Sequence, residues 1–302
     1  MNGIGIDVSK AQLDVAVHNG PMAQFPNTPA GHRKLVNWLK KMPVKQVVLE
    51  ATGGYEQAVL DRLYEAGRPV VRANARQVRD FARAVGQLAK TDRLDAAVLA
   101  CMAQTLDLQR YQPIAPWQRR LGEFVQARRQ LVQLIATARQ QLQMMTDRAL
   151  RRELQANITQ LDKSRMQLDR QIAEQVSNQP DLAVMKTLKG VGPVLLAVLA
   201  SQLPELGKVD GKAIAKLVGV APLSRDSGTM RGIRSIWGGR ADVRQALYMA
   251  GMSAARHEPR LRDFYRSLRA RGKPGKVAIV AVMRKMLVIL NARMREAQAA
   301  AS

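Results

Sequence analysis

The sequence predicts an α/β domain at the N-terminus, then a pair of long helices, then an all-α C-terminal domain. In the first 110 residues, short apolar runs alternate with segments of helical spacing. Residues 117–179 contain no proline, and no glycine after Gly122, so they favour long helices. Aromatic residues are only 4% of the 302 residues, which suits helices better than β-sandwiches. A chain of this length can form more than one core, and we place the domains at 1–112, 113–180 and 181–302.

The N-terminal domain is predicted to begin with a β-hairpin that Gln24 and Phe25 extend into a meander. Strands are expected over residues 2–8, 12–18, 46–50 and 69–73. Helices are expected over residues 29–42 and 55–66, from about residue 75, and from about residue 91 to 105. A hairpin meander followed by alternating helices and strands is the order of an RNase H-like domain, the fold class we predict for this region.

The charge of the chain indicates a polyanionic partner. Its 48 Lys and Arg residues against 24 Asp and Glu give a net charge of +24 and a pI near 11.1, and nucleic acid is the partner that best explains such an excess. Residues 1–110 contribute +5 of it and residues 111–302 contribute +19.

Several classes of protein and site are excluded by composition. The single cysteine excludes an intramolecular disulfide and a cysteine-based metal site, and three histidines are too few for a histidine-rich metal site. No apolar run approaches the length of a membrane span. The chain enters a strand directly after Met1 without a signal peptide, so we expect a cytoplasmic protein.

Four carboxylates in the first domain have the positions expected of a metal site. Asp7 ends the apolar run Ile4-Gly5-Ile6, and Glu50 ends Val47-Val48-Leu49, so both are expected at the carboxyl ends of strands. Asp92 and Asp95 are spaced to share one helix face. Such oxygen ligands suit one or two Mg²⁺ ions, or Mn²⁺ in their place, and metal-assisted phosphodiester chemistry.

Individual carboxylates also have simpler interpretations. Asp95 could be a surface residue paired with Arg93, and Glu50 could cap the following turn through the amides of Gly53 and Gly54. Three other carboxylates lie outside any motif and are expected to be solvated: Asp14, Asp61 and Asp80.

The region from Trp117 to about Gln179 is predicted to form a coiled-coil arm. Its apolar residues recur at spacings of three, four and seven, with charged residues between them. The arm is either a spacer between domains or a dimerisation element that also places arginines along nucleic acid. Those arginines are Arg128, Arg129, Arg139, Arg148, Arg151 and Arg152.

The segment Lys189-Gly190-Val191-Gly192 is expected to lie between two apolar helices, and it resembles a helix-hairpin-helix motif. Two glycines at this spacing allow a tight turn whose amides can approach a phosphate. An ordinary packing turn between helices explains the same pattern, and the surrounding positive charge favours phosphate contact.

A second candidate centre surrounds Ser227, which lies between Asp226 and Gly228. Serine in such a segment is commonly only a loop residue, but here five arginines could converge on a phosphate through bidentate hydrogen bonds. They are Arg225, Arg231, Arg234, Arg240 and Arg244. No histidine lies nearby in the sequence, so a hydrolase triad is not expected.

Taken in order, these motifs resemble the DEDD-type transposases of the IS110 insertion-sequence family, relatives of the pilin-gene invertase, over nearly the whole chain. The motifs are Gly5-Ile6-Asp7-Val8-Ser9-Lys10, Leu49-Glu50-Ala51-Thr52-Gly53, Lys90-Thr91-Asp92-Arg93-Leu94-Asp95, Leu188-Lys189-Gly190-Val191-Gly192-Pro193, Asp226-Ser227-Gly228, and Gly238-Gly239-Arg240 followed by Ala246-Leu247-Tyr248.

The resemblance implies a RuvC-like domain whose tetrad Asp7, Glu50, Asp92 and Asp95 binds Mg²⁺, and a Ser227 that attacks DNA to form a transient phosphoserine linkage. It also implies a structured guide RNA, or bridge RNA, that pairs with donor and target DNA. Dimers would assemble into tetramers in which the tetrad of one protomer meets the serine of another.

Three other functions are weighed against this one. A RuvC-like endonuclease that hydrolyses branched DNA would use the tetrad and leave Ser227 without a role. An actin-like sugar or acetate kinase also begins with a strand ending in Gly-Ile-Asp, but it has no use for the net charge. A non-catalytic packaging protein is disfavoured, because carboxylates facing phosphate would weaken its binding to nucleic acid.

Overall fold

The computed structural model describes residues 1–87, 92–223 and 235–300, and for Asp92 and Arg93 it describes the backbone. The chain forms two compact units, Met1–Pro113 and Ile114–Ser302. No helix in the described part of the chain has both the length and the apolar character to cross a membrane.

The first unit is built on a five-stranded mixed sheet in the order β3-β2-β1-β4-β5. Its strands are β1 Asn2–Val8, β2 Gln12–Val17, β3 Met22–Pro26, β4 Val44–Glu50 and β5 Val70–Ala73. The first three strands form an antiparallel meander, and β4 and β5 run parallel to β1. The predicted meander and the two later strands are confirmed.

Helices cover both faces of this sheet. They are α1 Pro29–Lys40, α2 Gln57–Glu65, α3 Ala75–Ala84 and α4 Asp92–Thr105. On one face, alternate strand residues such as Ile4 and Ile6 pack with Leu35 of α1 and Leu60 of α2. The other face carries smaller residues, and α4 packs there against β1, β2 and β4. The mixed α/β character predicted for this region is confirmed.

The second unit begins with two long helices, α5 Pro116–Met144 and α6 Arg148–Ser177, which pack against each other as a hairpin. The prediction of two long helices is confirmed. The end of the hairpin formed by the start of α5 and the end of α6 packs into the rest of the unit. Four of its side chains belong to the buried cluster of that unit: Leu121, Val125, Ile172 and Val176.

The rest of the second unit is mostly helical. It contains a 3₁₀ helix Pro180–Met185, α7 Pro193–Gln202, α8 Gly211–Val218, β6 Pro222–Leu223, β7 Ser235–Ile236, α9 Ala241–His257, α10 Pro259–Ala270 and α11 Gly275–Ala300. The core surrounds α7, in which every residue from Leu195 to Ala200 is buried. The expectation of an all-α domain is wrong in one detail, because β6 and β7 pair as a short antiparallel ladder.

Candidate functional site at the acidic edge of the sheet

Asp7 and Glu50 lie side by side at one edge of the sheet. β1 and β4 are parallel, and their last paired residues are Ile6 and Leu49, so Asp7 and Glu50 follow at equivalent positions. Both side chains are half-buried. They share the face that carries Gly5 and Val48, because side chains alternate along a strand. The structure therefore places two of the four predicted carboxylates together at the carboxyl ends of the central strands.

The N-terminal turn of α4 lies on that same face. A Cβ at Gly3 would meet the backbone of Ala100 and Gln104, and a Cβ at Gly5 would meet that of Ala96. Moving two residues along β1, from Gly3 to Gly5, therefore moves the contact by about four residues of α4. This follows from the rise per residue, which is about 3.3 Å in a strand and about 1.5 Å in a helix. Two further residues along β1 reach Asp7, which is level with the start of α4 at Asp92.

The other end of α4 is held by hydrogen bonds that satisfy its last carbonyls. Gln46 Nε2 donates to the carbonyl oxygens of Ala103 and Leu106 at 2.8 and 2.6 Å. Lys45 Nζ donates to the carbonyl oxygen of Gln104 at 2.6 Å, and the Gln104 side chain accepts from the Gly3 amide at 2.7 Å. These bonds position the helix along β1 and therefore position its first turn.

The chemistry of this edge suits a hard divalent cation. Carboxylate oxygens are the ligands that Mg²⁺ and Mn²⁺ prefer, and the half-buried Asp95 lies in the first turn of α4. Among the side chains that the structure describes, no three His, Cys, Asp or Glu residues form a complete metal-binding group, and the Asp92 side chain lies outside that set. The backbone places Asp7 and Glu50 at one edge of the sheet beside the first turn of α4, and the binding of Mg²⁺ by the four carboxylates stays a prediction.

A buried carboxylate that sequence reasoning missed, Glu56, caps the turn after β4. Its Oε2 accepts from the amides of Thr52 and Gly54 at 3.1 and 2.9 Å, and Arg72 Nη2 donates to its Oε1 at 2.6 Å. Glu56 therefore caps this turn through the amides of Thr52 and Gly54, and its sequence signal is only a carboxylate two residues after a glycine pair.

Glu56 is fully buried and still carries a lowered pKa. Burial alone would raise the pKa of this carboxyl, but hydrogen bonds from the backbone amides and the charge of Arg72 more than offset it. The charged form is therefore the stable one, and it holds the segment that follows Glu50.

The expectation that Asp14 is solvated is wrong. Asp14 is 6% exposed, and it lies directly across the β1–β2 pair from Asp7. Gln24 Nε2 donates to its Oδ1 at 2.7 Å, so polar partners compensate its burial. Asp61 is half-buried and accepts from the Tyr111 hydroxyl at 2.8 Å. Only Asp80 is exposed as expected, with Arg76 and Arg83 nearby.

The second predicted centre falls largely outside the described residues. Ser227 lies there, as do Arg225, Arg231 and Arg234. On either side of this segment, Leu223 of β6 pairs with Ser235 of β7.

The two remaining arginines of that centre are engaged with their own unit. Arg240 makes two 2.6 Å hydrogen bonds to the Glu205 carboxylate and one of 2.8 Å to the Gln202 carbonyl oxygen. Arg244 Nη1 donates to the carbonyl oxygen of Gly238 at 2.6 Å. Burial would raise the pKa of Glu205, but the Arg240 hydrogen bonds and charge lower it. Both arginines fix the backbone beside β7, and their contact with phosphate stays a prediction.

The glycine segment of the second unit is a packing turn at Gly190. This residue has φ of +97°, and a Cβ there would lie 2.9 Å from backbone atoms of Ala250 and Ala254 in α9. The preceding element is a 3₁₀ helix and not the expected α-helix. The Lys189 amide donates to Glu258 at 3.1 Å, whereas Gly192 begins α7 with open space around it.

An acidic strand edge in one unit and a basic second unit are features of an enzyme that processes nucleic acid. Residues 4–150 match a family described as a transposase, and residues 182–266 match a second one described as the transposase IS116/IS110/IS902 family. The chain belongs to the IS110 family of transposases and recombinases, which are DNA-processing enzymes.

Three curated proteins are similar to the chain. The pilin gene-inverting proteins of Moraxella bovis and Moraxella lacunata are 25% and 26% identical to it, and each match covers 97% of this chain and 95% of the relative. An uncharacterized 43.6 kDa protein of insertion element IS110 from Streptomyces coelicolor is 27% identical over 145 residues, which is 47% of this chain and 36% of that protein.

Proposed function

We propose that the chain cuts and exchanges DNA strands with the tetrad Asp7, Glu50, Asp92 and Asp95 and with Ser227 as the nucleophile. The observation that carries the proposal is the acidic edge, where Asp7 and Glu50 end adjacent parallel strands beside the first turn of α4. Membership of a transposase family supplies DNA as the substrate class.

In this reaction the four tetrad carboxylates would hold the divalent cation, and DNA would lie against the acidic edge. A bound Mg²⁺ would withdraw charge from the scissile phosphate and favour the ionised form of the attacking hydroxyl. Ser227 Oγ loses its proton, forms a bond to phosphorus and displaces the 3′-oxygen of the cut strand, which leaves as a hydroxyl after taking up a proton. The product is a phosphoserine ester to the 5′ end.

Strand exchange completes the cycle. The 3′-hydroxyl of a second strand attacks the phosphoserine phosphorus, the phosphodiester bond is restored, and Ser227 regains its proton. The bond energy is conserved in the ester, so no high-energy cofactor is needed. Arginines near Ser227 would stabilise the charge on the phosphate.

The second partner in this proposal is a structured guide RNA that pairs with donor and target DNA. The charge of +19 carried by residues 111–302 supports binding of RNA as well as DNA, since both are polyanions. Sequencing of the nucleic acid that copurifies with the protein tests this point: a discrete structured RNA is expected, and random fragments would contradict it.

Assembly into dimers and tetramers is proposed for the α5–α6 hairpin. Apolar side chains remain exposed along it, including Leu134 at 54%, Leu150 at 55% and Met166 at 49%. A composite site, in which the tetrad of one protomer acts with Ser227 of another, would then depend on the hairpin. Light scattering of the protein with and without nucleic acid measures the assembly.

Asp7→Asn tests the tetrad. Strand cleavage in Mg²⁺ should fall by at least about 10³-fold, because a neutral amide is a poor ligand for a hard cation, while DNA binding persists. Asp80→Asn is the matched control, since Asp80 is an exposed carboxylate of the same unit. Retained cleavage in Asp7→Asn would overturn the tetrad assignment.

Ser227→Ala tests the nucleophile. Denaturing gels should show a covalent protein–DNA adduct with the parent protein and none with the variant, which should also fail to exchange strands. Cleavage without an adduct in both proteins would instead identify a hydrolytic, structure-specific endonuclease, which the acidic edge alone could support.

A further inference from the structure

We propose that the corner formed by the end of α9, by α10 and by the start of α11 binds the phosphate backbone of duplex DNA. This basic corner comprises Arg256, Arg260, Arg262, Arg266, Arg269, Arg271, Lys273 and Lys276. The proposal rests on the chain's membership of a DNA-processing family, and it depends neither on the tetrad nor on Ser227.

Charge is concentrated in the basic corner. Residues 256–276 contain eight Lys and Arg residues but only two acidic residues, Glu258 and Asp263. Glu258 accepts a hydrogen bond from the Lys189 amide at 3.1 Å, and Asp263 pairs with Arg262 at 3.4 Å. Both acidic residues therefore already have partners within the chain.

The remaining cations of the basic corner face solvent. Arg266, Lys273 and Lys276 are exposed, and none of them forms an ion pair with any described residue. The arginines of the α5–α6 hairpin differ, since Arg128 and Arg139 pair with Asp169 and Asp162 at 2.5 and 2.7 Å. Exposure without a counter-charge is the state expected of a phosphate-binding surface before it binds.

Three arginines of the basic corner are aligned along α10, including Arg262, which pairs with Asp263. Arg262, Arg266 and Arg269 follow at spacings of four and three and so share one face of the helix. Along the axis they span about 10 Å, a distance on the scale of the separation between neighbouring phosphates of one DNA strand. The opposite face is anchored, because Leu261 is fully buried and Phe264 packs against the core.

The turn between α10 and α11 is also held in place. Arg269 Nη1 donates to the carbonyl oxygen of Lys273 at 2.6 Å, and Gly272 has φ of +75°. Lys285 of α11 lies 4.4 Å from the centre of the Phe264 ring. Cations are therefore presented from a fixed backbone, which lowers the entropy lost on binding.

Side-chain types in the basic corner favour duplex DNA over other polyanions. A membrane-binding helix would present large apolar side chains outward, but Phe264 and Tyr265 pack against the core. Single-stranded nucleic acid is held through exposed aromatic platforms, and within the described residues of the corner the only exposed large apolar side chain is Val277. The surface suits sequence-independent contact with a duplex backbone.

The test uses the full chain carrying Asp7→Asn, so that DNA is not cut. Arg266→Ala, Lys273→Ala and Lys276→Ala are combined, and the affinity for a 30-base-pair DNA is measured by anisotropy over a range of salt concentrations. Kd should rise at least about 10-fold at 0.1 M salt, and the slope of log K against log[salt] should fall by about 2 to 3.

Two controls separate phosphate contact from lost charge or lost folding. Arg33→Ala, Lys34→Ala and Lys40→Ala remove the same charge from exposed positions of α1 and should leave the slope nearly unchanged. Arg266→Lys with Lys273→Arg and Lys276→Arg keeps the charge and should retain parent affinity, as expected for backbone contact.

Equal losses in the α1 variant and the corner variant would overturn the proposal. A corner variant that binds DNA like the parent but has lost affinity for an RNA hairpin would also overturn it, in favour of an RNA surface. Residual cleavage by Asp7→Asn would bear on the tetrad alone, because it would appear as shortened DNA and not as a difference in Kd between the corner variant and its controls.

Discussion

Charged side chains are arranged in opposite ways in the two units of the chain. In the first unit, backbone packing brings carboxylates together, because Gly3, Gly5 and Ala16 let α4 approach the sheet closely. In the second unit, many charged side chains pair within the unit, as Arg240 does with Glu205, while cations of the basic corner stay exposed. Substitutions that displace the backbone at the acidic edge should therefore have large effects on stability and activity. Replacing a single surface charge should have a small effect.

Gly5→Ala is expected to have the largest effect. The new Cβ would overlap the Ala96 carbonyl oxygen and lie 2.7 Å from the carbonyl carbon of Leu99, so α4 must move and carry Asp92 and Asp95 with it. We expect a loss of about 2–3 kcal/mol of stability and a fall in Mg²⁺-dependent cleavage of at least about 100-fold. Urea denaturation and a cleavage assay measure the two effects.

Gly122→Ala provides the same substitution in the other unit. Gly122 lies within α5, and its new Cβ would lie 3.5 Å from Ser201 Cβ of α7. This is an ordinary contact, so a gain of about 0.5–1 kcal/mol in stability is expected. Equal losses in the two variants would contradict the contrast between the units.

Glu205→Ala should have the second largest effect. Its carboxylate is 13% exposed and holds both terminal nitrogens of Arg240, so its removal leaves a half-buried guanidinium with fewer partners. We expect a loss of about 2 kcal/mol, measured by chemical denaturation. Arg240→Ala in the same background should cost little more, because the pair is already broken; additive losses would argue against coupling.

Acid should destabilise both units through Glu56 and Glu205. Both carboxyls have a pKa lowered from 4.5 in the folded chain, so the unfolded chain binds protons first as the pH falls. Their stabilisation is present above about pH 4.5 and is lost as the pH falls through the folded values. Glu56→Gln and Glu205→Gln should each flatten the fall in Tm below that pH, with Asp80→Asn as a control that does not.

Arg139→Ala should have the smallest effect. Its side chain is 60% exposed and pairs with Asp162 across the α5–α6 hairpin. Exposed ion pairs contribute little, so we expect a loss of at most about 0.5 kcal/mol. A loss of more than about 2 kcal/mol in the free energy of unfolding, measured by thermal denaturation, would show that this ion pair stabilises the hairpin more than an exposed pair should.

The strands, the long helices and the strand-end positions of Asp7 and Glu50 could be predicted from the sequence, because alternation and helical spacing are local patterns. The burial of Asp14 could not be predicted, since it depends on Gln24 across a neighbouring strand. The burial of a charged Glu56 could not be predicted either, because its ionic partner Arg72 lies 16 residues away. The roles of Ser227 and of the guide RNA stay predictions.

By itself the sequence determined the order of the elements and the excess of positive charge, because these follow from short periodic patterns and from composition, and its ordered motifs carry the resemblance to the family. Only the tertiary structure decided which charged side chains are exposed for binding and which are engaged within the chain. Arg240 is engaged by Glu205, 35 residues away, and α4 is held through Gln104, which is 101 residues from Gly3. Partners at such separations are chosen by packing and burial, which no local spacing encodes.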